Sequence, residues 1–292
     1  MSIQSTIEAV AQTLPPSTRR IAEVVRERPA IVLESTISEL AVRCETSEAS
    51  VVRFCRALGL SGYSQLKIEL ATELGREFAQ FGPSLNYGSD IAATDSLREM
   101  AAKISSLEIL AIQETVARLD YDALERVVSA VDASDRVLLF GVGASHFIAE
   151  DLQHKLFRIG RNAFVLGDPH EALAAAALPG ARTVAIGFSH RGETQETVAF
   201  LREAARSGAS TVGVTSARGS ALNEVANETL FTEVRETAFR AGAMVSRIAQ
   251  LAVVDCVFAG VAQRRFDETV DALKVTREAA TRMHGSEKNS EI

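Results

Sequence analysis

Over residues 5–74 the apolar side chains recur at helical spacing and no strand-like alternation appears, which predicts a bundle of short helices. Pro15, Pro16 and Pro29 punctuate the bundle. Ser17 is expected to cap a helix running through Arg28, and Ser35 or Thr36 to open a helix carrying Ile37, Leu40 and Ala41. A short break at Cys44 to Thr46 precedes Ser47, placed to cap a further helix. Its Val51, Val52, Phe54 and Cys55 would face the bundle, and Gly59 stands where it should end.

The pattern changes after residue 80. The stretch 81–95 gathers Gly82, Pro83, Asn86, Gly88 and Ser89, a composition suited to a linker. Helical segments over 96–118 and 122–131 then lead into short apolar runs at 136–140, 163–166, 183–188, 211–214 and 229–234, separated by helical patterns. That alternation predicts an α/β three-layer domain around a mainly parallel five-stranded sheet, with ligands at the carboxyl ends of the strands. A last helix near 243–262 is apolar almost all round and should be buried against the sheet or a second subunit, and the tail from His284 is polar. The expected division is an all-α domain over 1–80, a linker over 81–95, the α/β domain over 96–270, and a helix end and tail over 271–292.

Length supports two domains, since 292 residues exceed the usual size of one core. The net charge of −7 argues against a protein that coats nucleic acid nonspecifically, but not against a small basic surface. From Met1 to Phe78 nine Lys and Arg face ten Asp and Glu, so any DNA contact must rest on placement. Cys44, Cys55 and Cys256 lack metal-ligand spacing and read as core thiols; no metal is expected. Neither a leader pattern nor an apolar stretch long enough for a bilayer is evident, so a cytoplasmic location without a membrane partner is expected.

Two short helices separated by a tight break have the layout of a helix-turn-helix, although a plain helical hairpin shares that spacing. In the DNA-binding reading, Ser47, Glu48, Ala49 and Ser50 lie nearest the base edges and Arg53 one turn along. Arg56, Tyr63 and Lys67 are then better placed for the DNA backbone. The runs Ile37-Ser-Glu-Leu-Ala41 and Thr46-Ser-Glu-Ala-Ser-Val-Val-Arg-Phe-Cys-Arg-Ala-Leu-Gly-Leu-Ser-Gly-Tyr63, followed by Leu66-Lys67, closely resemble the N-terminal domain of the RpiR family of transcription regulators. The resemblance implies that the recognition helix covers 47–57, with operator DNA as partner.

The first run of the second domain ends in Gly141-Val-Gly-Ala-Ser145 and the third in Ser189-His-Arg-Gly-Glu-Thr194, each passing straight into a helix. Glycines there let an anion approach the backbone, while helix amides and hydroxyls can hold it. Gly and Ser that merely cap helices would look the same at any single turn. Neither the dinucleotide fingerprint nor a nucleotide P-loop is present, so no cofactor is expected. A third hydroxyl-rich turn runs from Thr215 and Ser216 to Ser220.

Together these turns resemble the SIS, or sugar isomerase, domain. That resemblance implies that Ser145, Ser189 and Thr194 hold the phosphate of a phosphosugar, with Gly141, Gly143 and Gly192 shaping the backbone and His190 in the same turn. Arg191 replaces the family's usual second serine; a stronger phosphate contact, a ligand with a further acidic group and a solvent-facing side chain all stay open. The run from Glu236 to Arg240 resembles the end of the RpiR-type sensor, where Glu236 can accept sugar hydroxyls. His146 and His170, near strand ends, lack an identifiable partner for acid–base work. The expectation is a non-enzymatic, sugar-phosphate-sensing regulator of carbohydrate genes, acting as a homodimer or homotetramer on a palindromic operator. The alternative is a phosphosugar isomerase with an accessory helical domain.

Overall fold

The computed structural model describes residues 3–11, 14–81, 91–178, 182–234 and 243–285. They form two compact units, Met1–Glu114 with Glu233–Ile248, and Thr115–Thr232 with Ala249–Ile292.

The first unit opens with α1 (Ile3–Ala11), α2 (Pro16–Glu27), α3 (Ala30–Glu34), α4 (Ile37–Arg43), α5 (Glu48–Ala57) and α6 (Tyr63–Phe81). Ile7, Ile21, Leu40, Val51, Phe54 and Leu66 are fully buried at its centre. The cap expected at Ser17 is not used. Pro16 starts α2 after Pro15, whose carbonyl takes the Thr18 amide and hydroxyl. A proline at the first helical position loses nothing by lacking an N–H and arrives with its φ already set. Thr36, rather than Ser35, caps α4 through a reciprocal box with Glu39. The backbone N–H of Thr36 holds the Glu39 carboxyl below the usual carboxylate range. Ser47 caps α5 as its pattern predicts, accepting from the Ser50 amide.

Both helices of the α4–α5 pair end in the same way. After α5, the Leu60 amide returns to the Cys55 carbonyl and Gly59 to Arg56, with Gly59 at φ 77°. After α4, the Thr46 amide returns to Ala41 and Glu45 to Val42, with Glu45 at φ 50°. This 6→1 and 5→2 pattern closes a helix over a residue in the left-handed region, which glycine adopts freely and glutamate does not.

The segment 91–95 leads to α7 (Leu97–Arg118), whose start is fixed by a capping box between Ser96 and Glu99 and by Lys103 paired with Asp95 at 2.7 Å. Residues 82–90 of the expected linker lie outside the described residues.

The second unit continues as α8 (Tyr121–Ala133), β1 (Arg136–Gly141), α9 (Ala144–Arg158), β2 (Ala163–Val165), α10 (Pro169–Ala177), β3 (Thr183–Phe188), α11 (Gln195–Arg206), β4 (Ser210–Thr215), α12 (Ala221–Val225) and β5 (Glu228–Phe231). It closes with α13 (Met244–Arg264), from Ala249 onward, and α14 (Phe266–Gly285). The five strands are parallel, in the order β2-β1-β3-β4-β5. Alternation along β1 sends Val137 and Leu139 to one face, among Val131, Leu152 and Val257. Leu138 and Phe140 go to the other, where Phe140 meets Phe200 at 5.5 Å between rings. The sheet and the helices covering its two apolar faces are the three layers that the short buried runs imply.

β5 ends at Phe231, three residues before the end of its apolar run. A break at Arg265 separates α13 from α14, a 20-residue helix that the sequence pattern leaves undivided from the tail. Contrary to the expectation from sequence, α13 has the length and apolarity to cross a bilayer. Its Val253, Val254, Val257 and Val261 are nevertheless buried in the core of the second unit, which accounts for that composition. Cys44 and Cys55 are buried free thiols and Cys256 a half-buried one. Burial pushes the Cys55 thiol up to about 11.

Candidate functional site

In the first unit the outward surface of α5 is set by which of its residues the core claims. Val51, Phe54 and Cys55 point into the bundle, leaving Glu48, Ala49, Arg53 and Arg56 exposed with Val52 half-buried between them. Val52 therefore belongs to the outer stripe at i, i+3, i+4 and i+7 from Ala49, and not to the core face its apolar type suggests.

Ser50 does not present its hydroxyl outward. It is 2% exposed, lies 3.1 Å from the Ser47 hydroxyl and accepts from the Arg53 guanidinium at 2.8 Å. It thus acts on Arg53 from behind. Glu48 accepts a hydrogen bond from the Ser38 hydroxyl of α4, tying the first turns of the two helices together. Arg20 of α2 donates to the carbonyls of Cys44, at 3.2 Å, and Glu45, at 2.7 Å, bracing the turn between α4 and α5. No local pattern reveals Ser38 or Arg20, because each acts across the fold, ten and more residues from its partner.

The sequence groups Tyr63 and Lys67 with the DNA backbone, and the structure gives each a partner within the fold. The Tyr63 hydroxyl lies 3.1 Å from the Val32 carbonyl and 3.0 Å from that of Ser35, closing the carboxyl end of α3. Burial pushes its phenol up to about 12. Lys67 reaches the Leu33 carbonyl at 3.4 Å and lies over the Tyr63 ring. Arg56 remains exposed near the end of α5.

In the second unit the strand order reverses direction between β1 and β3, and in such sheets the crevice lies outside the carboxyl ends of that pair. Gly141 pairs with Phe188, so the turns following them leave adjacent strands at one level. Gly141 must be glycine, since a Cβ there would lie 2.7 Å from the Ser145 backbone oxygen. Its bareness lets the first turn of α9 close over the strand end, with Ser145 half-buried in that turn. Gly143 caps α9 at φ 61°.

In the β3–α11 turn, the buried Ser189 hydroxyl sits 2.9 Å from that of Thr194, the cap residue of α11. Gly192, at φ 68°, packs so closely that a Cβ would lie 2.1 Å from the Ser220 hydroxyl oxygen. Between them the His190 carbonyl accepts from the Thr215 hydroxyl, the Ser216 hydroxyl and the Ser216 amide, each at 2.9 Å. The third hydroxyl-rich turn is thus a buttress for the second, and Ser220 also caps α12. Arg191 is exposed on the crest of the braced loop.

The histidines near the strand ends serve local geometry. His146 stands 3.4 Å from Glu150 one turn along α9. His170 is exposed and lends its amide to Asp168, the cap of α10. Glu236 lies outside the described residues.

Residues 1–77 match the helix-turn-helix domain of the rpiR family, and 131–260 match the SIS domain. An HTH-type transcriptional regulator of Caldanaerobacter subterraneus is 34% identical over 276 residues, covering 94% of this chain and 96% of its own. The HTH-type regulator YbbH of Bacillus subtilis is 32% identical, over 95% of this chain and 96% of its own. Among solved structures, the Vibrio vulnificus NanR protein complexed with ManNAc-6P aligns over 96% of this chain and 99% of its own, with a TM-score of 0.59 and 24% identity. That likeness establishes the shared fold.

Proposed function

The chain belongs to the rpiR family of helix-turn-helix transcription regulators, and from that premise we propose that it senses a phosphorylated sugar at the β1–β3 crevice and adjusts operator binding by α5 accordingly. One observation carries the sensing half: two glycine-and-hydroxyl turns leave adjacent strands at the same level where the strand order reverses. Ser145, Ser189 and Thr194 supply hydroxyls, and the amino ends of α9 and α11 supply positive partial charge for a phosphate. Gly141, Gly143 and Gly192 admit the anion, His190 and Arg191 rim the site, and Glu236 accepts sugar hydroxyls. The relative in complex with ManNAc-6P supports this class of ligand.

In this reading 1–80 carries the DNA contacts, 81–95 links, and 96–270 senses. Ser47 and Ser50 order the start of α5, Glu48 and Ala49 face bases, and Arg53 and Arg56 meet base or phosphate. Tyr63 and Lys67, tied to the end of α3, stand beyond that first turn, where they meet the DNA backbone. The protein acts in the cytoplasm as a homodimer or homotetramer on a palindromic operator, without catalysing a reaction. Coupling requires that the ligand bind two states of the dimer unequally, and DNA must then alter ligand affinity by the same factor.

The test is fluorescence anisotropy on DNA from upstream of the protein's own gene, at fixed salt because phosphate contacts dominate affinity. Specific binding that one sugar phosphate shifts fivefold or more, roughly 1 kcal/mol of coupling, supports the proposal. No preference over random DNA, with turnover of a sugar phosphate that Glu236→Gln abolishes, replaces it with the isomerase reading.

A further inference from the structure

We infer that Glu48 selects a cytosine in each operator half-site, and that Ser38 is the positioning residue that aims it. This rests on the reading of α5 as the DNA-contacting helix and adds what that helix reads.

Four polar side chains lie in or near the first turn of α5, and three of them are tied to one another. Ser47 caps the helix, Ser50 is buried, and Arg53 is fastened to Ser50. Glu48 is exposed, and its Oε1 is held by the Ser38 hydroxyl. Recognition helices approach bases with their amino-terminal residues, which is where Glu48 stands.

A carboxylate offers only acceptors, so it needs a base-edge donor with no acceptor beside it. In the major groove guanine shows two acceptors and thymine shows O4, and both repel it. Adenine pairs its N6 donor with the N7 acceptor, whereas cytosine shows the N4 donor alone. Because Oε1 is occupied by Ser38, Oε2 is the oxygen presented to cytosine. Ser38 also removes rotamer freedom that the carboxylate would otherwise lose on binding. The exposed Ala49 beside it has only a methyl group and adds no competing polar signal.

The experiment is selection from a randomised duplex library at fixed salt, using full-length wild type, Glu48→Gln and Ser38→Ala, with circular dichroism melts to establish that each is folded. Wild type should enrich a half-site with one position at which cytosine is favoured about tenfold. Glu48→Gln should convert that position to adenine, whose N6 and N7 match a carboxamide bidentately. Ser38→Ala should narrow the cytosine preference several-fold more than it weakens binding to random DNA. A motif that Glu48→Gln leaves unchanged at every position overturns the assignment and leaves DNA recognition by α5 standing. A library from which wild type enriches nothing overturns both.

Discussion

Glu45 and Gly59 hold the same place in two copies of one helix-ending motif, fourteen residues apart. Glycine pays no steric penalty there, whereas an L-residue with a Cβ sits about 1–2 kcal/mol above its preferred conformation. Replacing Glu45 with glycine should therefore stabilise the protein, by about 0.5–1 kcal/mol once the looser unfolded chain is counted, and raise the melting temperature. Tyr63 makes a prediction in pH. Its phenol, ordinarily near 10.0, is pushed up to about 12 in the fold, mainly by burial. The folded state thus keeps a proton that the unfolded chain releases. The associated stability is complete below about pH 10 and is lost as pH rises towards 12. Cys55, raised from 9.0 to about 11, acts with the same sign at slightly lower pH. Denaturant melts between pH 8 and 12 should show this loss. Tyr63→Phe should remove the later part and cost about 1 kcal/mol at neutral pH, because the Val32 and Ser35 carbonyls lose their donor.

At the scale of elements, the braced turn after β3 should be intolerant of added bulk. A methyl at Gly192 meets Ser220 and Thr215 and must be carried at positive φ, so Gly192→Ala should destabilise the second unit by about 2 kcal/mol or more. Isothermal titration should find sugar-phosphate binding weakened at least tenfold, while helical content survives. The starts of α4, α5 and the strands were legible because caps and periodicity are local signals, as with Thr36, Ser47 and the apolar run of β3. Ser17 misleads because two prolines beside it open the helix without a side-chain cap. The roles of Ser50 and Tyr63 were not legible: residue type marks both as available polar groups, and only the packing of α5 and α3 shows where their hydroxyls go. Thr215 and Ser216 read only as part of a hydroxyl-rich turn, and the structure shows both donating to the His190 carbonyl of the neighbouring loop.

For the whole molecule, two folded units and a five-stranded parallel sheet follow from the change of period beyond residue 80. The order β2-β1-β3-β4-β5 does not, because alternation gives the sequence of strands but not their neighbours. That order makes the Gly141 and Ser189 turns adjacent, so the pairing of the two halves of the proposed site is a property of topology. The break at Arg265 likewise has no Gly or Pro to announce it. The bracing of the α4–α5 turn by Arg20 has a consequence for regulation. If α5 is the reading head, a head locked from behind transmits a signal as a solid tool does, by changing where it stands and not what it is. On the proposed function, operators then vary in two separable ways, the letters of each half-site answering to α5 and the gap between half-sites answering to the bound metabolite.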